Sequence, residues 1–553
     1  MDKRKRRNDP MPVITIDKKY LKSLTEPELS DEKLTERIGK LGLNVEAIDE
    51  KEISVEVTSN RPDILGALGL ARAFNHFFHK STKFHYQIND EAPLLEITVG
   101  GGVRRIRPYI ASLAASGVKF DEVSLTGFLN GIEKFTETYG RARKKIAIGL
   151  HDMDKIEAPL RYDACGSERF VPLNSKEEMT YDQALRDTDK GRKYADTIPR
   201  AGPKRFPVLK DRKGALALIP IINSERTKVT TDTKNILVDI TGMSEYLVGK
   251  TADLIAANFI DTGASVRKVQ IVYRNKSVIT PQLTTDTVGV PVSMLEREIG
   301  VEIGVNNVAA LAEKMGYETS YTGNVVNFKI PTYRFDVINE QDIVEDIAIA
   351  YGYDYIRPVP VRNVTPGAID TLALFRDSLA NAAAGLGFDQ MMNSYLSNDQ
   401  TNFTMMRLSI EKSAVRIRNP KSESITIMRT SLLPSLLKNI AASQNVPSPL
   451  ECFELDMVFH MRDGKPKEDY HIAAVSAGSK SDFNSIKAVY ESVAKEAGLE
   501  SKLEAATHPS FIEGRCAKIV SKGKGVGFLG EIHPEVLNNF GIEEPTAALE
   551  IEL

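Results

Sequence analysis

The sequence predicts a multidomain α+β protein. Three observations point there. Its 553 residues are too many for one core and, at ~150 residues per domain, suggest three or four. Hydrophobic residues make up 42% and charged residues 27%, the balance of a folded globular chain and not of a disordered one. Helical and strand-like patterns follow one another irregularly, with no fixed-period repeat.

Residues 13–16 are apolar, β-branched and short, which predicts a strand. A helix is expected over 31–41, with Ser30 as cap and Gly42 as stop. Residues 53–57 alternate as a strand. Thr58-Ser59-Asn60-Arg61-Pro62-Asp63 is a turn, and Leu65, Leu68, Leu70, Ala71 and Phe74 follow at helical spacing. This first unit is expected to occupy residues 1–92. The second, 93–270, is mixed. It has a helix over 123–139, a buried-type strand over 145–149 and a polar helix over 180–194. Arg212-Lys213-Gly214 joins strands 206–209 and 215–222 in a hairpin. In 235–241, Ile236, Val238 and Ile240 face one way and Leu237, Asp239 and Thr241 the other. A helix over 243–262 follows.

A small helix-rich unit, winged-helix-like in pattern, is expected over 271–357. Its helices are 293–299, 306–315 and 340–351, with a strand over 325–330. Pro358, Pro360, Pro366 and Gly367 mark a linker. The last unit, 358–553, opens with a helix over 369–384. Strands at 416–418, 452–459, 472–476, 517–520 and 527–529 interleave with helices at 432–444, 485–496 and 534–540. That is an α+β pattern with a mostly antiparallel sheet.

Formal net charge is -3, from 72 basic and 75 acidic residues, so any nucleic-acid surface is a local patch. Lys3, Arg4, Lys5, Arg6 and Arg7 form a basic arm with no apolar segment behind it, unlike a signal peptide. Cys165, Cys452 and Cys516 are scattered, which fits a reducing, cytoplasmic setting and no disulfide framework. The longest apolar stretch, 215–222, is far below the ~20 residues that span a bilayer. Gly525-Val526-Gly527-Phe528-Leu529-Gly530 has the spacing of a dinucleotide loop, but it lies between strand-like segments and reads as hairpin glycines.

Two clusters suggest chemistry. Asp342, Glu345 and Asp346 share one helix face, and Asp336 precedes them. Hard oxygen ligands of this kind suit Mg²⁺, although acids also favour a helix N-terminus and Asn339 would cap this one. Asp239 and Thr241, with upstream Asn223 and Glu225, either line a small-molecule pocket or form an exposed strand face.

Several stretches together resemble the beta subunit of phenylalanyl-tRNA synthetase. Asn60-Arg61-Pro62-Asp63 looks like that family's N-terminal signature. Ile148-Gly149-Leu150-His151-Asp152-Met153-Asp154, Phe170-Val171-Pro172-Leu173-Asn174, Asn223-Ser224-Glu225 and Val238-Asp239-Ile240-Thr241-Gly242 look like its tRNA-editing module. Residues 331–353, ending Tyr351-Gly352-Tyr353, are the most specific match. Met428-Arg429-Thr430-Ser431-Leu432-Leu433-Pro434 and Gly530-Glu531-Ile532-His533-Pro534 resemble its degenerate copy of a class II synthetase core.

The resemblance implies magnesium ligands at Asp336, Asp342, Glu345 and Asp346. It implies an editing pocket drawn from Asp239, Thr241, Asn223 and Glu225. Asp239 or Glu225 is suited to accept a tyrosine hydroxyl, and Thr241 or Asn223 to place the ester or a water. In the core, Cys452-Phe453-Glu454-Leu455-Asp456-Met457-Val458-Phe459 lacks the arginine that grips ATP, and no Arg-terminated Gly-rich motif follows Gly530. A silent core implies that aminoacylation belongs to an alpha subunit, in a tetramer of two alpha and two beta chains acting on tRNA(Phe). The length resembles the shorter archaeal and eukaryotic-type subunit. A free-standing editing hydrolase and a non-enzymatic nucleic-acid scaffold are the competing readings.

Overall fold

The computed structural model describes residues 11–79, 86–88, 92–198, 205–360, 365–443 and 445–553. The basic arm lies outside them, as do part of the linker and Gln444 of the expected helix 432–444. The chain forms two compact units, 1–360 and 361–553.

Unit 1 opens with an antiparallel sheet in which Glu52–Glu56 lies between Val13–Asp17 and Asn44–Ile48. Ser30 caps the helix Asp31–Lys40, accepting from the Lys33 N–H. Leu34 and Ile38 of that helix, with Leu70 and Phe74 of Ala67–His79, are buried against the sheet. Each such side chain contributes about 1.5–3 kcal/mol. The 3-10 turn Pro62–Ile64 leads into Ala67–His79, as the breaker residues predicted.

Next comes a ten-stranded sheet. Its order is Ile222–Asn223, Gly214–Leu218, Phe206–Asp211, Leu160–Cys165, Leu95–Val99, Ser265–Val272, Tyr109–Ser116, Asn235–Gly242 and Ile146–Asp152, with Ser277–Thr280 branching from Ser265–Val272. The sheet curls until its ends meet, where Asn223 Nδ2 donates to Leu150 O at 3.0 Å. Helix Glu245–Asp261 packs on Ile236, Val238 and Ile240, while Leu237 faces Leu160, Tyr162 and Leu216 on the other side. The alternation read in 235–241 is therefore a two-sided core.

Several expectations needed correction. The strand expected over 215–222 breaks at a cis Ile219-Pro220 bond, because proline cannot donate to the ladder. The single helix expected over 180–194 is two, Tyr181–Asp187 and Asp189–Tyr194, with the Thr188 hydroxyl capping the second. The expected division at 270/271 falls inside Ser265–Val272, which forms a hairpin with Ser277–Thr280.

The helix-rich part of unit 1 holds an antiparallel sheet ordered Asp286–Pro291, Val325–Ile330, Glu318–Thr322. Helices Val292–Ile299, Val305–Lys314 and Glu340–Tyr351 share its core through Leu295, Val308, Leu311, Ile343 and Ile347.

Unit 2 is built on a seven-stranded sheet ordered Asp389–Gln390, Leu450–Arg462, Lys465–Ala477, Thr546–Glu552, Lys524–Ile532, Phe511–Ser521, Ser501–Ala505. Every pair but the first is antiparallel. Helices Thr371–Gly385 and Phe483–Glu496 cover one face through Leu379, Ala383, Ile486 and Tyr490. Helices Leu433–Ala442 and Pro534–Phe540 cover the other. The strand expected at 416–418 is only an isolated bridge, Arg416 to Ile427, and the Arg416 side chain is bound to Asp399. The glycine-spaced motif at 525–530 lies within Lys524–Ile532 and follows a turn with Gly523 at φ +80°. No helix among the described residues is long and apolar enough to cross a membrane.

Candidate functional site

Asp239 is 1% exposed at the centre of strand Asn235–Gly242. Its register partner on the neighbouring strand is Gly149, and Leu237 faces His151. Glycine is needed at 149, since a Cβ there would sit 2.0 Å from Asp239 Oδ2 and 3.2 Å from Asn223 Oδ1. His151 Nε2 lies 3.0 Å from Asp239 Oδ2, and its Nδ1 lies 2.9 Å from the Thr227 hydroxyl. With Nε2–H donating to the carboxylate, Nδ1 accepts from Thr227. The other oxygen, Asp239 Oδ1, is buried without a hydrogen-bond partner among the described residues. A buried acceptor left open costs free energy unless something donates to it.

The four residues read from the sequence take different places. Curling of the sheet brings Asn223 to Asp239 at the Gly149 cradle. Thr241 lies on the same strand, and its hydroxyl and carbonyl are held by Arg107 (Nε to Oγ1 2.9 Å, Nη2 to O 2.6 Å). Glu225 turns away and accepts from the Asn174 N–H at 2.6 Å. Arg107 is 3% exposed, and burial pulls its pKa down to about 10 against the opposing pull of Tyr162 and Asp239. Sequence reading missed His151 and Arg107. The period-two alternation of Ile148-Gly149-Leu150-His151 was the available signal for the first, because it places Gly149 and His151 on one face.

The acidic helix forms a second cluster. Asn339 caps Glu340–Tyr351, and Asp342 Oδ2 closes the box on the Ile338 and Asn339 N–H groups at 2.7 and 3.0 Å. Arg334, 3% exposed, holds both oxygens of Asp336 and reaches Asp346 Oδ2 at 2.7 Å. Tyr317 donates to Asp346 as well. The Asn60-Arg61-Pro62-Asp63 turn meets this helix. Arg61 grips Asp63 in a fork at 2.8 and 2.9 Å, and Asn60 Nδ2 approaches Glu345 Oε2 at 3.3 Å. Burial pushes the Glu345 carboxyl up, and the nearby Asp346 and Asp342 charges add to this.

The expected metal ligands are thus drawn to an arginine and a helix N-terminus. Among the described residues no three His, Cys, Asp or Glu side chains converge in a metal-binding group. Asp336 does not fit as a direct ligand, since Arg334 holds both its oxygens. The rest of the donor set keeps an excess of negative charge at Asp342 and Glu345, which suits a hard cation.

In unit 2, Arg429 is buried against Glu454 at 2.5 Å and donates to Met457 O at 2.9 Å. Glu550 ties His471, Ser431 and the Leu432 N–H together at 2.6–3.0 Å.

A curled sheet with a buried Asp–His pair, an acidic capped helix and a helix-flanked antiparallel sheet make up a modular chain, and comparison with known proteins places those modules among the aminoacyl-tRNA synthetases. Family descriptions agree with this. "B3/4 domain" matches residues 138–279, "tRNA synthetase B5 domain" matches 288–353, and "Phenylalanyl tRNA synthetase beta chain CLM domain" matches 357–553. The phenylalanine–tRNA ligase beta subunit of Methanocaldococcus jannaschii is 34% identical over 98% of this chain and 100% of its own length. That of Methanocella arvoryzae is 32% identical over 98% and 99%. An N-terminal fragment of the Pyrococcus horikoshii phenylalanyl-tRNA synthetase beta subunit superposes with a TM-score of 0.59 at 31% identity, covering 62% of this chain and all of the fragment. The chain belongs to the phenylalanine–tRNA ligase beta subunit family.

Proposed function

We propose that this chain works with a synthetic alpha subunit that attaches phenylalanine to tRNA(Phe), and that it hydrolyses tyrosine wrongly attached to that tRNA. The observation that carries the editing reading is the open oxygen of Asp239 beside the Gly149 cradle. A tyrosine hydroxyl brought there supplies the missing donor. Phenylalanine has none and leaves the carboxylate unsatisfied. Such a site discriminates by ~10⁴–10⁵, whereas an apolar pocket rejects an added hydroxyl by only ~10². His151 fixes the carboxylate, and Asn223 closes the cradle from the opposite end of the sheet. Thr241, held by Arg107, or Asn223 would steady the ester or a water.

Asp239→Asn should lower hydrolysis of Tyr-tRNA(Phe) by about 10–100-fold, the loss of one charge-assisted hydrogen bond, with phenylalanylation by the assembled enzyme unchanged. Full deacylation by that variant would remove Asp239 from the role.

Two features of unit 2 support a partner. Arg429 is committed to Glu454, on a sheet face that also carries Asp456, so the strand offers acids where a triphosphate needs cations. Leu374 on Thr371–Gly385 is 52% exposed and Met392 90%, with Leu372, Leu386 and Leu396 also open. Apolar groups of this size at a surface suit pairing with another chain. The assembly we propose is two alpha and two beta chains. Asp342 and Glu345 are the groups on this chain that would hold Mg²⁺ at the edge of the acidic helix, where the ion would neutralise their charge. Co-purification of a synthetase-like partner that confers phenylalanylation is the direct test.

A further inference from the structure

Between helix Glu122–Glu137 and strand Ile146–Asp152 the backbone takes a conformation that L-residues avoid. Arg141, Ala142 and Arg143 lie at φ +50°, +49° and +65° in succession. The turn is firmly held. Ala142 N donates to Glu137 O and Lys145 N to Gly140 O, both at 2.8 Å. Gly140 has no room for a Cβ, which would lie 2.4 Å from Thr136 O.

Two arginines tie this loop to the segment before Asn223 and to Thr241 on the Asp239 strand. Arg143 is buried over the Tyr194 ring at 4.3 Å and donates to Ile221 O at 2.8 Å and Pro220 O at 3.2 Å, two and three residues before Asn223. Its Nη2 is taken by Glu133 at 2.6 Å. Arg107 bonds Lys144 O at 3.3 Å while holding Thr241. Residues 141–145 hold four cations and no acid, and of these Arg143 is turned inward while Arg141 and Lys144 face outward. Lys144 pairs with Asp196 at 3.0 Å, but both side chains are more than half exposed, so water screens the pair. On the neighbouring helix Asp189–Tyr194, Lys190, Arg192 and Lys193 are matched by Glu133, Asp189 and Glu137. The loop is therefore the less neutralised cation source beside the pocket.

We propose that this strained loop is the phosphate-binding surface that seats the 3′ end of the aminoacylated RNA, with Arg141 and Lys144 on the phosphates as the ester enters the pocket. This rests on the hydrolytic reading above and adds the surface by which the RNA is held.

The test uses the full chain and two substrates: Tyr-tRNA, and 3′-O-tyrosyl-adenosine, which lacks the phosphates. Arg141→Ser combined with Lys144→Ser should raise KM for Tyr-tRNA. It should lower the slope of log KM against log salt by about two, about one for each phosphate that the variant leaves without its cation. Hydrolysis of the small ester should not change, and Arg141→Lys with Lys144→Arg should restore the slope. An unchanged KM and slope overturns the proposal. So does an equal loss on the small ester, which would mark the loop as mere support for the pocket. If the wild-type chain hydrolyses neither substrate, the hydrolytic reading itself falls and this inference falls with it.

Discussion

A single missing side chain makes room for the Asp239 carboxylate. Gly149→Ala would drive a methyl into the carboxylate, so hydrolysis of Tyr-tRNA should fall at least ~10-fold and the chain should lose about 1–3 kcal/mol. Urea unfolding beside a deacylation assay separates the two effects. Arg334 is a second such residue, because it pairs with both Asp336 and Asp346. Arg334→Ala would leave two carboxylates without their cation and should cost about 3–5 kcal/mol, read from the urea midpoint. At this scale the sequence was half legible. Asp239 stood out as an acid on an otherwise apolar strand. Its partner His151 lies 88 positions away, and nothing in a linear pattern says which strand becomes a neighbour. Asn60 and Glu345 meet across 285 positions for the same reason.

Helices and strands were more legible, because their signals are local. Ser30, Gly42 and Asn339 bounded their helices as cap chemistry requires, whereas the break at Pro220 and the restart at Thr188 were lost inside longer apolar or polar runs. Helix Ala67–His79 also carries a pH response. Burial, with Arg72 nearby, pulls the His76 pKa down to about 4 from an ordinary value of 6.5. The folded state therefore favours neutral His76. Its contribution is intact above pH 6.5 and is lost as pH falls toward 4, by at most about 3 kcal/mol. Urea midpoints should drop between pH 7 and 4.5, and His76→Gln should flatten that part of the profile.

At the scale of the whole chain, a net charge of -3 reflects local sorting, with cations gathered in the 141–145 loop and acids on the 340–351 helix. Exposed apolar side chains occur in both units, five of them within residues 372–396 of unit 2. Leu374→Lys with Met392→Lys should abolish co-purification of the partner while leaving the melting temperature of the isolated chain within about 2 °C, since both side chains face water there. Unit 2's antiparallel sheet followed from its strand pattern. The curl of the ten-stranded sheet did not, because closure depends on pairings between strands far apart in sequence.

That sheet has one further property. Ser265–Val272, nearly the last of its strands to be made, lies between Leu95–Val99 and Tyr109–Ser116. Asn223 belongs to the half on one side of it; Gly149, His151 and Asp239 belong to the half on the other. A chain still emerging from the ribosome has both walls of the pocket but not the strand that joins them, and pairing over such separations is slow. The approach of Asn223 to Asp239 would then arise late and all at once. Substitutions along 265–272 would shift Asn223 relative to Asp239.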